Sequence, residues 1–173
     1  MAAGVLTAAT AAHADTAGIY LRGHGGYGGA SVEEPGGNEP SLGMVIGGEL
    51  GAKILLFNAY VNYDRYLDHG SITRGILGLT SDIELAGWRL SGRIGAGLMM
   101  EKETLFGGDL DHTGVVARIG VAFDRRLSAG LWLGVGVEAE YFALKPDGDM
   151  VESTVHTGAD IFGSLRLSFE LGI

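Results

Sequence analysis

Four histidines, His24, His69, His112 and His156, fall at or near the expected ends of strands, and two of them sit beside an acid, as Asp68-His69 and Asp111-His112. An imidazole held by a carboxylate is a general base, so a rim site built on these four residues suits hydrolysis of a lipid or peptide bond, or capture of a small ligand. The nucleophile that such chemistry needs is not marked. There is no G-x-S-x-G, and Ser31, Ser71 and Ser153 fall in connecting stretches with nothing to orient them. The same histidines with Asp109, Asp111, Asp147 and Asp149 offer D-x-D oxygens of the kind calcium takes, but the full loop pattern with its closing Glu is missing. The sequence therefore leads to an expectation of no catalytic residue, no metal and no cofactor, with the four histidines as the alternative rim site.

A larger charged set has a clearer pattern. Arg22, Glu49, Asp64, Asp82, Glu84, Arg89, Arg93, Arg118, Glu138, Glu140, Asp160 and Arg166, joined by Lys53, Arg74, Glu101 and Glu170, occupy alternate positions in stretches whose other positions are apolar. Opposite charges on one face of neighbouring strands can pair, and the fork of an arginine can bridge two carboxylates. The expectation is a lumen plugged by its own charges.

The elements that position them must be strands, because the alternation has period 2 rather than 3.6. Leu131, Leu133, Val135, Val137, Ala139 and Tyr141 share one face, opposite Trp132, Gly134, Gly136, Glu138, Glu140 and Phe142. Val115, Ala117, Ile119, Val121 and Phe123 lie opposite Val116, Arg118, Gly120, Ala122 and Asp124; Leu165, Leu167 and Phe169 lie opposite Ser164, Arg166 and Ser168. Eight such segments follow one another. Their connectors are expected at 29–41, 54–55, 68–71, 86–87, 102–112, 125–128 and 144–153, with the odd-numbered ones longer. No stretch past residue 15 approaches the apolar length of a membrane-spanning helix, whereas segments of ten to fifteen residues are long enough for tilted strands to cross. An open sheet edge would leave N–H and C=O groups unpaired in hydrocarbon, so the first and last strands must pair. Arg or Lys costs roughly 2–4 kcal/mol on a lipid face near the midplane, which the apolar face avoids. A soluble barrel would show the same alternation with its faces exchanged.

The composition agrees. The 173 residues include 31 glycines without a collagen period, and no cysteine, which excludes disulfide scaffolds and thiolate metal sites. A net charge of -9 with scattered cations argues against nucleic acid. Residues 1–14 are small and apolar and end in Ala12-His13-Ala14, an A-x-A cleavage pattern, so 1–14 reads as a signal-peptide remnant and 15–173 as one barrel domain. Tyr63, Tyr66, Trp88, Phe106 and Tyr141 are expected in girdles at the membrane surfaces, with Tyr60 and Phe142 turned inward.

The glycine-rich opening YLRGHGGYGG from Tyr20 and the amphipathic final strand SLRLSFELGI resemble the OmpA/OmpX-type family of eight-stranded outer-membrane barrels, over essentially all of residues 16–173. The resemblance implies an all-β, antiparallel, up-and-down transmembrane barrel in a Gram-negative outer membrane, with both termini periplasmic. It implies lipid of that membrane as surroundings, a monomer, and recognition by the barrel-assembly machinery through Leu165, Leu167, Phe169, Leu171 and Ile173. The chain ends in Ile where the family has an aromatic residue. An eight-stranded interior has room only for side chains or one small ligand, and no catalytic constellation stands out, so the expected role is structural or surface display without a channel.

Overall fold

Alternation over eight segments closes into one antiparallel sheet. The computed structural model describes residues 17–34, 37–67, 71–105, 108–146 and 155–172, with side chains described outside 30–41, 71, 103–110 and 146. The strands are β1 (Ala17–Glu34), β2 (Gly37–Ile54), β3 (Phe57–Tyr66), β4 (Ser71–Leu85), β5 (Trp88–Leu105), β6 (Gly108–Ser128), β7 (Leu131–Pro146) and β8 (His156–Gly172). Each pairs with its sequence neighbours, and β1 pairs with β8 from Gly18↔Gly172 to Val32↔Gly158, so the sheet closes in chain order. The segment 1–14, read as a signal remnant, lies outside the described residues.

Registered partners give the barrel's stagger. From Arg22 the path runs through Glu49, Asn62, Ile76, Gly97, Val116, Phe142 and Gly158 and returns to β1 at Val32, ten residues from its start. With eight strands that stagger corresponds to a tilt of about 40° and an interior wide enough only for side chains or one small ligand.

One end of the barrel holds both described termini and the tight turns at 55–56, 86–87 and 129–130. Ala86 and Gly87 both have positive φ, 51° and 81°, the geometry whose twist suits a two-residue hairpin. The other end, the mouth, departs from expectation. Segments 29–41 and 102–112 are largely strand: β1 continues to Glu34, β2 begins at Gly37, β5 continues to Leu105 and β6 begins at Gly108. Ladder bonds need only backbone, so hairpins continue beyond the point where the apolar pattern stops. Residues 125–128, expected as a turn, belong to β6, which carries a register shift between Arg126 and Ser128.

The apolar face lies outside. Leu77 is 66% exposed and Ile119 63%, whereas Arg74 and Arg89 are 0% exposed. A soluble barrel requires the reverse. Trp88 stacks on Phe123 at the turn end, ring centroids 4.7 Å apart. Tyr27, Tyr63 and Tyr141 point outward toward the mouth, so the belt between the two sets of rings spans about ten residues of tilted strand, about 25 Å. Tyr66, expected in a girdle, is instead buried in the lumen, because its place in β3 puts it in phase with Asp64. Leu165 is outward at the middle of β8. Leu165→Arg is expected to destabilise the barrel in lipid vesicles by about 2–4 kcal/mol, read by urea unfolding. A change near zero would mean this face does not meet hydrocarbon.

Inward glycines make the narrow lumen usable. A Cβ on Gly51 would stand 2.3 Å from the Tyr20 ring, and one on Gly78 would stand 2.4 Å from that of Tyr60. These glycines let the tyrosine rings lie flat on the wall, which leaves the centre for charges.

Candidate functional site in the barrel lumen

Strand phase sends the charges inward, and the stagger sorts them into levels. Nearest the turn end, Lys53 Nζ donates to Glu84 Oε1 at 2.8 Å, and Arg126 reaches the same carboxylate at 3.2 Å. Arg89 pairs with Asp124 at 3.1 Å and with Glu170, and Asn58 Nδ2 donates to Asp82 at 2.7 Å. At the next level Arg22 pairs with Glu49 at 2.5 Å and donates from Nε to Ser168 Oγ at 2.9 Å, while Tyr20 Oη donates to the same Glu49 oxygen at 2.8 Å. Arg93 joins Glu49 to Glu138, the latter at 2.8 Å.

Arg118 is the hub above these. It contacts Asp64, Glu140 and Glu138, the last at 3.1 Å, and donates to Asn62 Oδ1 at 3.0 Å. Arg74 carries the chain onward from Glu140 to Asp160, the latter at 2.8 Å, and Tyr66 Oη donates to Asp160. The cations also lie over aromatic faces: Arg22 over Tyr20, Arg93 over Tyr60, Arg74 over Tyr66, Arg89 over Trp132 and Arg118 over Phe162, at 4.3–5.3 Å. A desolvated cation gains most from such a ring.

Arg166 departs from this pattern. It is 1% exposed, yet none of its three guanidinium nitrogens has a hydrogen-bond partner among the described residues. It shares the level of Arg22 and Arg93.

Every residue of the expected lumen set faces the interior, with Glu84 half-buried and the other eleven buried. Asp124, outside that set, is also buried in the lumen, as its even spacing from Arg118 on β6 requires. The lumen also holds buried apolar side chains outside the expected set. Val45, Tyr66, Ile72, Met99, Val116, Phe142 and Leu144 belong to a buried cluster that also takes in Tyr20, Tyr60 and Ile76 among the ion pairs, and the registered ladders place Ile72, Met99, Phe142 and Leu144 nearest the mouth. Alternation puts these residues inside; that they form a layer depends on the stagger.

The histidines do not share one site. His24 faces the lumen, with Nε2 2.6 Å from Asp64 Oδ1, which ties it to the Arg118 hub. His112 and His156 lie edge to face at the mouth, centroids 5.9 Å apart. His69 lies outside the described residues, as do Asp68 and Asp147–Asp149. No three described His, Asp or Glu side chains converge as a ready metal cluster. A groove of about 480 Å³ on the outer wall, lined chiefly by Phe57, Leu79, Ile94, Ile119 and Val121, belongs to the apolar belt and has few polar groups to orient a ligand.

No protein-family model matches the sequence, and no curated protein matches it. Solved structures do. The chain is similar to the N-terminal β-barrel domain of Pseudomonas aeruginosa OprF, with TM-score 0.62 and 11% identity over 91% of this chain and 98% of that one. It is similar to Neisserial surface protein A (NspA), with TM-score 0.64 and 14% identity over 86% of this chain and 96% of that one. The fold is that of the small eight-stranded outer-membrane barrels.

Proposed function

We propose that this chain is a non-conducting barrel of a Gram-negative outer membrane, with its termini and tight turns on the periplasmic side and its long hairpins displayed outward. The observation that supports this most directly is the order of the lumen contents: ion pairs fill the interior, and a buried apolar layer lies over them on the mouth side. An ion entering from the mouth would have to shed water at that layer and then displace paired charges, each step costly at low dielectric. The role is structural, anchoring and presenting the mouth hairpins. Closure of β1 on β8 leaves no free sheet edge, which favours a monomer, and the exposed apolar side of β8 suits recognition by the assembly machinery. Hydrolysis is not part of this reading, because the described histidines lie in two separate places.

The protein refolded into detergent or vesicles is expected to run as a heat-modifiable band on SDS gels, with β signal only in lipid or detergent. In planar bilayers it is expected to give no conductance steps, and lipid and peptide hydrolysis assays on the same samples are expected to stay blank. A monodisperse β protein in plain buffer would overturn the membrane reading; resolved current steps would overturn the occluded lumen.

A further inference from the structure

Two imidazoles meet where the lumen opens. His112 on β6 and His156 at the start of β8 lie edge to face, centroids 5.9 Å apart and planes at 89°. Strand β7 runs between their strands, with His112 in register with Pro146 and His156 with Leu144. The rings therefore reach each other by converging over the lumen. On the other side of His112 its registered neighbour is Glu101 of β5, half-buried and in phase with the inward Met99. His112 is buried, and its Nδ1 has no hydrogen-bond partner among the described residues. A ring wanted only for packing would carry no such penalty if it were phenylalanine or leucine, the residue types at Phe142 and Leu144 just below.

We propose that His112 and His156 together bind one divalent transition-metal ion of the zinc and copper class at the mouth. Two imidazole nitrogens about 2.0–2.1 Å from one metal put their ring centroids roughly 5–6 Å apart, and the pair already stands at that separation. Neutral imidazoles select zinc, copper or nickel over calcium and magnesium, which take oxygen. No third described ligand converges with them, so the remaining coordination positions are open to water or to an external donor. The apolar layer of Met99, Val116, Phe142 and Leu144 separates the ion from the arginines beneath it. This departs from the metal-free expectation of the sequence, because closure of the barrel rather than sequence spacing makes the pair.

The test is titration of the refolded full chain in detergent micelles, with Zn²⁺ by calorimetry and with Cu²⁺ by electron paramagnetic resonance. One ion per barrel is expected, with copper hyperfine structure from two nitrogens. His112→Phe and His156→Phe keep an aromatic pair but remove the ligands, and each is expected to weaken binding by about tenfold or more and to leave one nitrogen in the spectrum. His69→Ala is expected to change neither. Absence of saturable binding, binding unchanged in the double phenylalanine variant, or binding lost in His69→Ala would each overturn the site. The gel shift on heating reports whether each variant is folded. The more exposed His156 can also be changed to Asn, so the proposal stays testable even where His112→Phe does not refold.

Discussion

Replacing Arg118 by methionine is expected to destabilise the inserted barrel by about 3–5 kcal/mol, the cost of breaking a buried charge network by removing one partner. Arg118 touches three carboxylates, Asp64, Glu138 and Glu140, and the side chains of all four are at most 4% exposed. Each acid keeps one further partner: the His24 imidazole for Asp64, Arg93 for Glu138 and Arg74 for Glu140. Arg93 and Arg74 are themselves shared, with Glu49 and Asp160 respectively, so the loss leaves the hub with uncompensated negative charge. Lysine is expected to rescue little, since a single ammonium cannot reproduce a guanidinium fork across several oxygens. Adding Glu140→Gln to Arg118→Met is expected to recover part of the loss. Arg166→Met is the contrast: a buried guanidinium with no hydrogen-bond partner among the described residues, exchanged for an apolar chain of similar length, is expected to leave stability unchanged or raised. Urea unfolding in vesicles, followed by the fluorescence of Trp88 and Trp132, reads all four variants. An Arg118→Met barrel within about 1 kcal/mol of the parent would mean that water, not the ion pairs, satisfies the acids.

Phe142→Ala is expected to cost about 3–5 kcal/mol, in the range for truncating a buried phenylalanine, and to make a silent barrel conduct. Phe142 is 1% exposed, registered with Val116 on one side and Gly158 on the other, within the apolar layer above the ion pairs. The registered partner Gly158 has no side chain to move into the vacated volume, so alanine at 142 is expected to leave a gap. Water admitted at that gap reaches Arg74 and Asp160, which pair on the turn side of the ring. Small, brief current steps in planar bilayers are expected, and Phe142→Leu is expected to stay silent. If Phe142→Ala also stays silent, the ion pairs alone close the lumen.

The two variants separate the contributions. Loss of Arg118 tests the electrostatic filling, and loss of Phe142 tests the apolar closure above it. Because water admitted at 142 reaches Arg74, which shares Glu140 with Arg118, the double variant is expected to cost less than the sum of the two.

Much of this architecture was legible in the amino-acid sequence because the direction of a strand side chain is a local property. It reverses at every residue whatever surrounds it, so alternation alone determined eight strands, their charged and apolar faces, and the placement of Arg22, Arg93, Arg118 and Glu140 on one side of the wall. It could not show where strands end beyond the membrane, since the backbone ladder of β5 and β6 continues past the end of the apolar pattern, nor which face turns inward. Partnership is a property of the closed sheet. Arg118 meets Asp64 and Glu138, His112 meets His156, and Val45 joins Phe142 in one layer because eight strands are staggered by ten residues around the axis. A shift of two residues in any ladder would keep every face and change every partner. Which residues share a face was therefore determined residue by residue along the chain, whereas the contacts that fill the lumen were decided only when β1 closed on β8.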